Sequence, residues 1–212
     1  MANLQILGAP QSNFVWVVRM ACAEKGVPYD LVPLRPHCPE IDAIHPFGRI
    51  PAMRHGDLEL CESKAIVTYI DRTFGGPKLI PDDPVAAARV EQWVSLINTT
   101  IDPVMVRTYL LAYFFPGTPD GSPDRAKIET ALPTMRKQAE ILDGAVAKTG
   151  YLAGGAFSLA DIDLLPILYY LQKLPEGTDV VRSNKNLLAY FERHAQRPCF
   201  KATIPPPPPN RS

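Results

Sequence analysis

Two common arrangements of cysteine and histidine are missing from this sequence. The four cysteines, Cys22, Cys38, Cys61 and Cys199, lie far apart, and no pair has the C-x-x-C spacing. None of the four histidines pairs with another at a spacing typical of metal ligands. These absences argue against a zinc knuckle and against a dithiol redox motif. We therefore expect reduced, mostly buried cysteines and no metal site.

The sequence also lacks an excess of either charge and any long apolar run. Among its 212 residues, Lys and Arg number 22 and Asp and Glu number 22. This balance gives no electrostatic reason to expect nucleic acid or an anionic membrane as a partner. No apolar run approaches the length of a membrane span, and the first ten residues lack the basic and apolar regions of a signal peptide. We expect a cytoplasmic protein with no nucleic-acid or membrane partner.

The first 75 residues are predicted to alternate strands and helices. Leu4–Leu7 is a short apolar strand, Phe14–Lys25 is an apolar helix that Gly26 ends, and Tyr29–Leu34 is a second strand. A short helix near 39–44 follows, and then a hairpin and a third helix. The predicted order is therefore β-α-β-α-β-β-α.

The stretch 45–71 supplies the hairpin and the third helix. A glycine permits the short turn between the apolar runs Pro51–Arg54 and Leu58–Leu60. Glu62 and Ser63 lie where apolar residues begin to recur at helical spacing. Backbone N–H groups and the positive end of the helix dipole point outward at such a position, which therefore favours an anion.

The remainder of the chain is predicted to be helical. Glycines and prolines between 75 and 84 mark a linker. Apolar residues at helical spacing then run through Ile97 and again through Met135. Ser158 and Asp161 form a capping-box-like start of a further helix, and a last helix is predicted to end before Pro198.

Taken in this order, the motifs resemble those of the cytosolic glutathione S-transferases, in particular the phi-like and bacterial serine-type branch. The Ile50-Pro51 step resembles the family's Val/Ile–cis-Pro, and Glu62 to Ile66 resembles its E-S-x-A-I signature. The run HAQRPCF at 194–200 is similar to its C-terminal R-P motif. The resemblance implies an α/β plus all-α fold, with a thioredoxin-like glutathione-binding domain over 1–76, a linker at 77–84 and a helical domain over 85–202. It leaves out the polyproline tail over 203–212, which its prolines predict to be extended and disordered.

The resemblance also implies an activity. It indicates a homodimeric detoxification enzyme that conjugates glutathione, its cosubstrate, to a small hydrophobic electrophile and needs no cofactor. The same scaffold supports glutathione peroxidase, isomerase and dehalogenase chemistry, which the sequence does not separate. The alternative is a non-catalytic transferase-like protein that binds glutathione or has a regulatory role.

Ser12 is the residue that the resemblance assigns to thiolate stabilisation. Only a thiolate attacks, and a free thiol has a pKa of about 8.5. A hydroxyl donor at a helix N-terminus combines a hydrogen bond with the helix dipole, each worth on the order of 1 kcal/mol, which lowers the thiol pKa by about one to two units. Ser12 is also a good N-cap residue, so capping is the competing interpretation. Asn13 is an alternative donor to the sulfur.

The residues expected to hold the tripeptide follow from the same resemblance. The backbone N–H and C=O of Ile50, aimed by a cis Pro51, would pair with the cysteinyl moiety as an added strand does. Ser63 would hold the γ-glutamyl carboxylate, and Glu62 would accept from the ammonium. Both residues are equally compatible with helix capping alone.

Two basic residues are less clearly assigned. Arg49 stands where many phi-like proteins have Gln, and it either reaches a glutathione carboxylate or is solvated. His37 falls near the place of a lysine that binds the glycyl carboxylate in that class, although a loop histidine is often simply exposed.

The electrophile pocket is expected between the two halves of the chain. Phe14, Met105, Tyr109 and Tyr113 are the candidate lining residues. The competing interpretation is that aromatic residues at helical spacing belong to the core.

Overall fold

A computed structural model describes residues 3–207 of the chain. The described residues form two compact units. The first unit comprises residues up to Ile80 together with those from Gln196 onward, and the second is Pro81–Ala195.

The first unit is built around a four-stranded mixed sheet with the strand order β2-β1-β3-β4. β1 pairs in parallel with β2 and antiparallel with β3, and β3 pairs antiparallel with β4. The predicted β-α-β-α-β-β-α order of a thioredoxin-like fold is confirmed. Its elements are β1 Leu4–Leu7, α1 Asn13–Lys25, β2 Asp30–Val32, α2 Pro39–Asp42, β3 Ala52–His55, β4 Leu58–Cys61 and α3 Ser63–Thr73.

A buried ion pair joins the ends of α1 and α3. Lys25 Nζ lies 2.9 Å from Asp71 Oδ1, and both side chains are almost fully buried. The Asp71 carboxylate also accepts hydrogen bonds from the backbone N–H groups of Leu79 and Ile80, at 2.9 and 3.2 Å. Because every one of these buried charges has a partner, the segment after α3 is fixed to the first unit.

The second unit is entirely helical, as predicted. Its first helix begins as α4, passes through two π-helical stretches and ends as α5. Four more helices follow, of which Pro175–Arg182 was not anticipated from the sequence. The elements are α4 Pro84–Leu96, π-helical stretches Ile97–Ile101 and Pro103–Leu110, α5 Leu111–Phe114, α6 Arg125–Ala147, α7 Leu159–Leu171, α8 Pro175–Arg182 and α9 Lys185–His194.

The predicted capping box at the start of α7 is confirmed. The backbone N–H of Ser158 donates to the Asp161 carboxylate at 2.9 Å. This carboxylate has no exposed surface, and it also accepts from the backbone N–H of Leu152 and from the Tyr190 hydroxyl, at 2.8 and 2.9 Å. Asp161 therefore holds the start of α7, the preceding loop and α9 together.

The predicted helix that ends before Pro198 is observed as α9, but the prediction that it is the last helix is wrong. A further helix, α10, spans Pro198–Thr203 and belongs to the first unit. Proline fits the first turn of a helix because the N–H it lacks would have no partner there. The indole Nε1–H of Trp16 in α1 donates to Thr203 Oγ1 at 2.9 Å, and the Trp16 and Phe200 rings lie 5.1 Å apart.

Two predictions about the chain as a whole bear on these described residues. The predicted polyproline tail covers 203–212. Its first residue, Thr203, is the last residue of α10, and residues 208–212 lie outside the described part of the chain. Within residues 3–207, no helix is long and apolar enough to cross a membrane.

Candidate active site

Ser12 lies at the N-terminal end of α1, where the sequence predicts the reactive thiol of a ligand. It is the N-cap residue, with extended backbone, and its Oγ accepts from the Val15 backbone N–H at 3.5 Å. A hydroxyl that accepts through its oxygen keeps its own hydrogen for donation. Capping and thiolate stabilisation are therefore compatible roles for this side chain. Asn13, the first residue of α1, is 8% exposed and thus largely covered.

Gly8 brings the Ser12 loop close to the Ile50-Pro51 step. A Cβ at Gly8 would lie 2.6 Å from Val15 Cγ2 and 3.1 Å from Ile50 Cβ, so the side chains of Val15 and Ile50 pack directly against the Gly8 backbone. The Ile50-Pro51 peptide bond is cis, as the sequence predicts. The β1–β3 register begins at Ala52, opposite Leu7, so this ladder leaves Ile50 beyond its end. This is the position at which an extended peptide could be added to the sheet.

Glu62 and Ser63 lie at the predicted helix start. Ser63 is the first residue of α3 and is 7% exposed, while Glu62 is the N-cap residue and has a positive φ of 69°. The Glu62 side chain is 68% exposed. An exposed carboxylate and several backbone N–H groups therefore share one helix end, which suits a zwitterionic ligand.

His45 is a residue of this region that the sequence reasoning did not identify as functional. It is 3% exposed, and its Nε2 lies 3.3 Å from Glu62 Oε1. The histidine is 17 residues before the glutamate in the chain, so only the fold shows that they meet.

The two candidate basic residues are exposed. His37 has a positive φ of 58° and its backbone N–H donates to the Gly48 carbonyl at 2.8 Å. The His37 side chain is 73% exposed and its Nδ1 lies 3.9 Å from Asp42 Oδ1. Arg49, which follows Gly48, is also exposed. His37 and Arg49 are thus placed around one loop and are accessible to a ligand.

The four candidate electrophile-binding residues differ in exposure. Phe14 in the first unit and Tyr113 in the second are partly exposed, whereas Met105 and Tyr109 are fully buried. The Tyr109 hydroxyl donates to Glu176 Oε2 at 3.1 Å and accepts from the Gly177 backbone N–H at 2.8 Å. As placed, Met105 and Tyr109 present no surface to a ligand because their side chains fill the interior of the helical unit.

Tyr113 belongs to a charged cluster. Its hydroxyl donates to Glu176 Oε2 at 2.5 Å, and Arg125 contacts both Glu176 Oε1 at 2.8 Å and the Tyr113 hydroxyl at 3.2 Å. Burial opposes ionisation of Glu176, but hydrogen bonds from Tyr113, the backbone, Arg125 and Tyr109 together lower its pKa to about 2. Glu176 also lines a polar cavity of about 380 Å³ with Arg136, Glu140 and Asp179 among its other residues. This cavity was not predicted.

The cysteines are poor candidates for a nucleophile. All four are free thiols. Burial raises the pKa of Cys22 to about 12, and burial together with a hydrogen bond to Glu24 raises that of Cys199 to about 12. Burial and the neighbouring Glu62 carboxylate raise the pKa of Cys61. Cys22, Cys61 and Cys199 are therefore held in the unreactive, protonated form. Within the described range, no group of three or more His, Cys, Asp or Glu side chains is arranged to hold a metal ion.

The fold and the site together define a protein with a thioredoxin-like domain, an all-helical domain and candidate ligand residues at two helix N-termini. Two family descriptions match the sequence: glutathione S-transferase, N-terminal domain, over residues 6–78, and glutathione S-transferase, C-terminal domain, over residues 104–198. The chain is 32% identical over 233 residues to glutathione S-transferase 3 of Zea mays, with 100% of each chain covered. The chain belongs to the glutathione S-transferase family.

Two further relatives bear on function. The structure is similar to that of a glutathione S-transferase-I bound with the ligand lactoylglutathione, with a TM-score of 0.86, 26% identity and coverage of 95% of this chain and 98% of that one. The chain is also 29% identical over 198 residues to the stringent starvation protein A homolog of Haemophilus ducreyi, with 88% of this chain and 83% of that protein covered.

Proposed function

We propose that this chain is a glutathione transferase in which Ser12 stabilises the thiolate of glutathione for attack on a small hydrophobic electrophile. The observation that carries the proposal is the place of Ser12, whose hydroxyl lies at the N-terminus of the 13-residue helix α1. A donor hydroxyl and the helix dipole favour an anion at that point.

The remaining part of glutathione would be held by the residues around Ile50. The backbone of Ile50, next to the cis Pro51, lies beyond the β3 ladder and is suited to pair with the cysteinyl moiety. Ser63 at the start of α3 is suited to the γ-glutamyl carboxylate, and the Glu62 carboxylate to the ammonium. Arg49 and His37, both exposed, supply positive charge or donors for the glycyl carboxylate.

The reaction balances without any further cofactor. The thiol proton leaves to solvent as the thiolate forms, and the sulfur lone pair then attacks the electrophilic carbon. A carbon–sulfur bond forms, and the electron pair displaced from that carbon leaves with the departing group or moves onto the acceptor atom, which water protonates. Of the four candidate residues for contact with the electrophile, Phe14 and Tyr113 are partly exposed, and each remains a candidate.

A non-catalytic binding or regulatory role is the second candidate. It is favoured by the similarity to the stringent starvation protein A homolog, whose name is not that of a transferase. Titration calorimetry with glutathione and a turnover assay on a panel of aryl halides, epoxides, activated alkenes and hydroperoxides separate the two. Binding with turnover supports the transferase, and binding without turnover on the panel supports the second role. Absence of glutathione binding would contradict both.

We also propose a homodimer. Several large apolar side chains are exposed in the single chain, among them Phe47 at 72% and Ile141 at 56%. Exposed apolar side chains mark an interface where they form a contiguous patch. Light scattering coupled to size-exclusion chromatography should give twice the chain mass of 23.4 kDa, and a mass of one chain across micromolar concentrations would contradict the proposal.

A further inference from the structure

We propose that His45 is a positioning residue that holds the Glu62 carboxylate in place for the ammonium of glutathione. The inference rests on the proposed function, because it assigns a ligand group to Glu62. It concerns a residue that acts through Glu62 and does not itself touch the ligand.

The imidazole of His45 is fixed by its surroundings. The side chain is 3% exposed, and its Nδ1 accepts from the Phe47 backbone N–H at 3.1 Å. The backbone of His45 is held as well, since its N–H donates to the Ile41 carbonyl at 2.7 Å and its carbonyl accepts from Gly48 at 2.9 Å. Because Nδ1 is the acceptor, the hydrogen of the neutral ring is on Nε2.

The other ring nitrogen, Nε2, lies beside Glu62. It is 3.3 Å from Glu62 Oε1, which is close enough for an attractive contact between a polar N–H and a carboxylate. Apart from this contact the Glu62 side chain is mostly solvated, at 68% exposure. A solvated glutamate samples several rotamers, so a contact with a rigid, buried donor restricts it. One carboxylate oxygen is then bound by His45, and the other remains able to accept from a ligand ammonium.

The backbone conformation of Glu62 also indicates that surrounding contacts hold this residue. Its φ of 69° is in the left-handed region, which is unusual for a residue other than glycine. Such a conformation persists where surrounding contacts impose it, and it is often found at ligand sites. The Glu62 carbonyl accepts from Ile66 at 3.0 Å, which fixes the backbone, and His45 fixes the other end of the residue.

Two substitutions separate the two nitrogens of the ring. The amide of His45→Gln places an N–H donor near the position of Nε2, so it retains the contact with Glu62 and loses the acceptor for Phe47. The amide oxygen of His45→Asn lies near the position of Nδ1, so it retains the acceptor for Phe47 and loses the donor to Glu62. We expect His45→Asn to raise the KM for glutathione about threefold to fivefold, as for loss of a partly exposed polar contact to a charged group, with a smaller change in kcat. His45→Gln should keep the KM within about twofold of the wild-type value.

A glutathione analogue tests the assigned ligand group. Glutaryl-cysteinylglycine has the glutathione skeleton without the ammonium, and His45→Asn should have no effect on its KM. The Glu62→Gln variant should remove the effect of His45→Asn on glutathione in the same way.

The outcomes distinguish this inference from the proposed function. Equal KM values for the two His45 variants, or a larger defect in His45→Gln, would show that His45 only supports the loop at Phe47. An effect of His45→Asn that persists with the analogue would also overturn the inference. Each of these results requires an active wild-type enzyme. A wild-type protein that binds no glutathione contradicts the proposed function itself, and melting temperatures of both variants identify any folding defect.

Discussion

Gly8 sets the distance between two parts of the candidate site. Its φ is 149°, and it lies between the side chains of Val15 in α1 and Ile50. The space between these two side chains is too small for a Cβ atom. A residue with a Cβ at this position would have to displace the Val15 side chain and would adopt a φ that favours glycine. The packing around the candidate site thus depends on a residue that carries no functional group.

Gly8→Ala should reduce stability and turnover together. The added Cβ would meet Val15 Cγ2 at 2.6 Å, so we expect a loss of about 1–3 kcal/mol in the free energy of unfolding, as for other overpacked sites. Denaturant unfolding and the KM for glutathione are the measurements. Gly144→Ala in α6 is the matched control, because a Cβ there has nothing within 4 Å and should be neutral or stabilising. Equal behaviour of the two variants would contradict the described packing.

Residue-level predictions from sequence succeeded where a local signal exists. Ser12, Glu62 and Ser63 were placed correctly at helix starts because capping and apolar periodicity are local properties. His45 was missed because its contact with Glu62 depends on the fold. Tyr109 was a candidate for the electrophile pocket because of its place in the chain, and its complete burial favours the competing interpretation that it belongs to the core.

At the scale of the element, α7 combines structural and titratable roles. It carries Asp161, which binds the surrounding loop, and two residues later Asp163, which is 4% exposed. Asn98 Nδ2 donates to Asp163 Oδ2 at 3.1 Å. Burial raises the pKa of Asp163 to about 7 in spite of this hydrogen bond.

Asp163 should make the stability of the protein depend on pH. The folded protein retains a proton that the unfolded chain releases near pH 3.8, so stability falls as the pH rises from there to about 7. Asp163→Asn should abolish this fall and raise the free energy of unfolding at pH 8 by on the order of 2 kcal/mol. Urea unfolding between pH 4 and pH 8 measures both effects. Glu129→Gln, an exposed change on α6, serves as control, and a variant less stable than wild type at pH 8 would refute the account.

The elements that sequence reasoning missed are two short helices, although the four-residue α2, which also begins with a proline, was predicted near its place. Both α8 and α10 begin with proline, at Pro175 and Pro198. Proline ends a helix that precedes it in the chain, but it also suits the first turn of a helix that follows. In segments of eight and six residues, apolar periodicity covers too few turns to decide between these two meanings. The longer helices and the hairpin, with more turns or pairs, were predicted correctly.

At the scale of the whole molecule, the C-terminal segment of the chain belongs to the first unit. Residues from Gln196 onward group with the residues up to Ile80. Three contacts attach this segment to α1: the Trp16–Thr203 hydrogen bond, the Trp16–Phe200 ring contact and the ion pair between Arg197 and Glu24. The sequence gives no local sign of these contacts, because the partners are more than 170 residues apart.

Thr203→Val should weaken the attachment of α10 to α1 while nearly preserving the volume of the side chain. It leaves the buried Trp16 Nε1–H without its acceptor at 2.9 Å, and we expect a cost of about 1–3 kcal/mol. Denaturant unfolding followed by tryptophan fluorescence measures the loss. Lys201→Ala, an exposed change on the same helix, is the control. A variant as stable as wild type would show that α10 does not depend on this contact.

The most direct test of the central claim is the pKa of the thiol of bound glutathione. Thiolate absorbance is titrated against pH in complexes of wild type, Ser12→Ala and Asn13→Ala. Ser12 as the stabilising donor predicts a wild-type pKa about one to two units below the free value of about 8.5, and a return toward that value in Ser12→Ala. Asn13→Ala should stay near wild type. An unchanged pKa in Ser12→Ala would contradict the account, and a rise confined to Asn13→Ala would transfer the role to that residue.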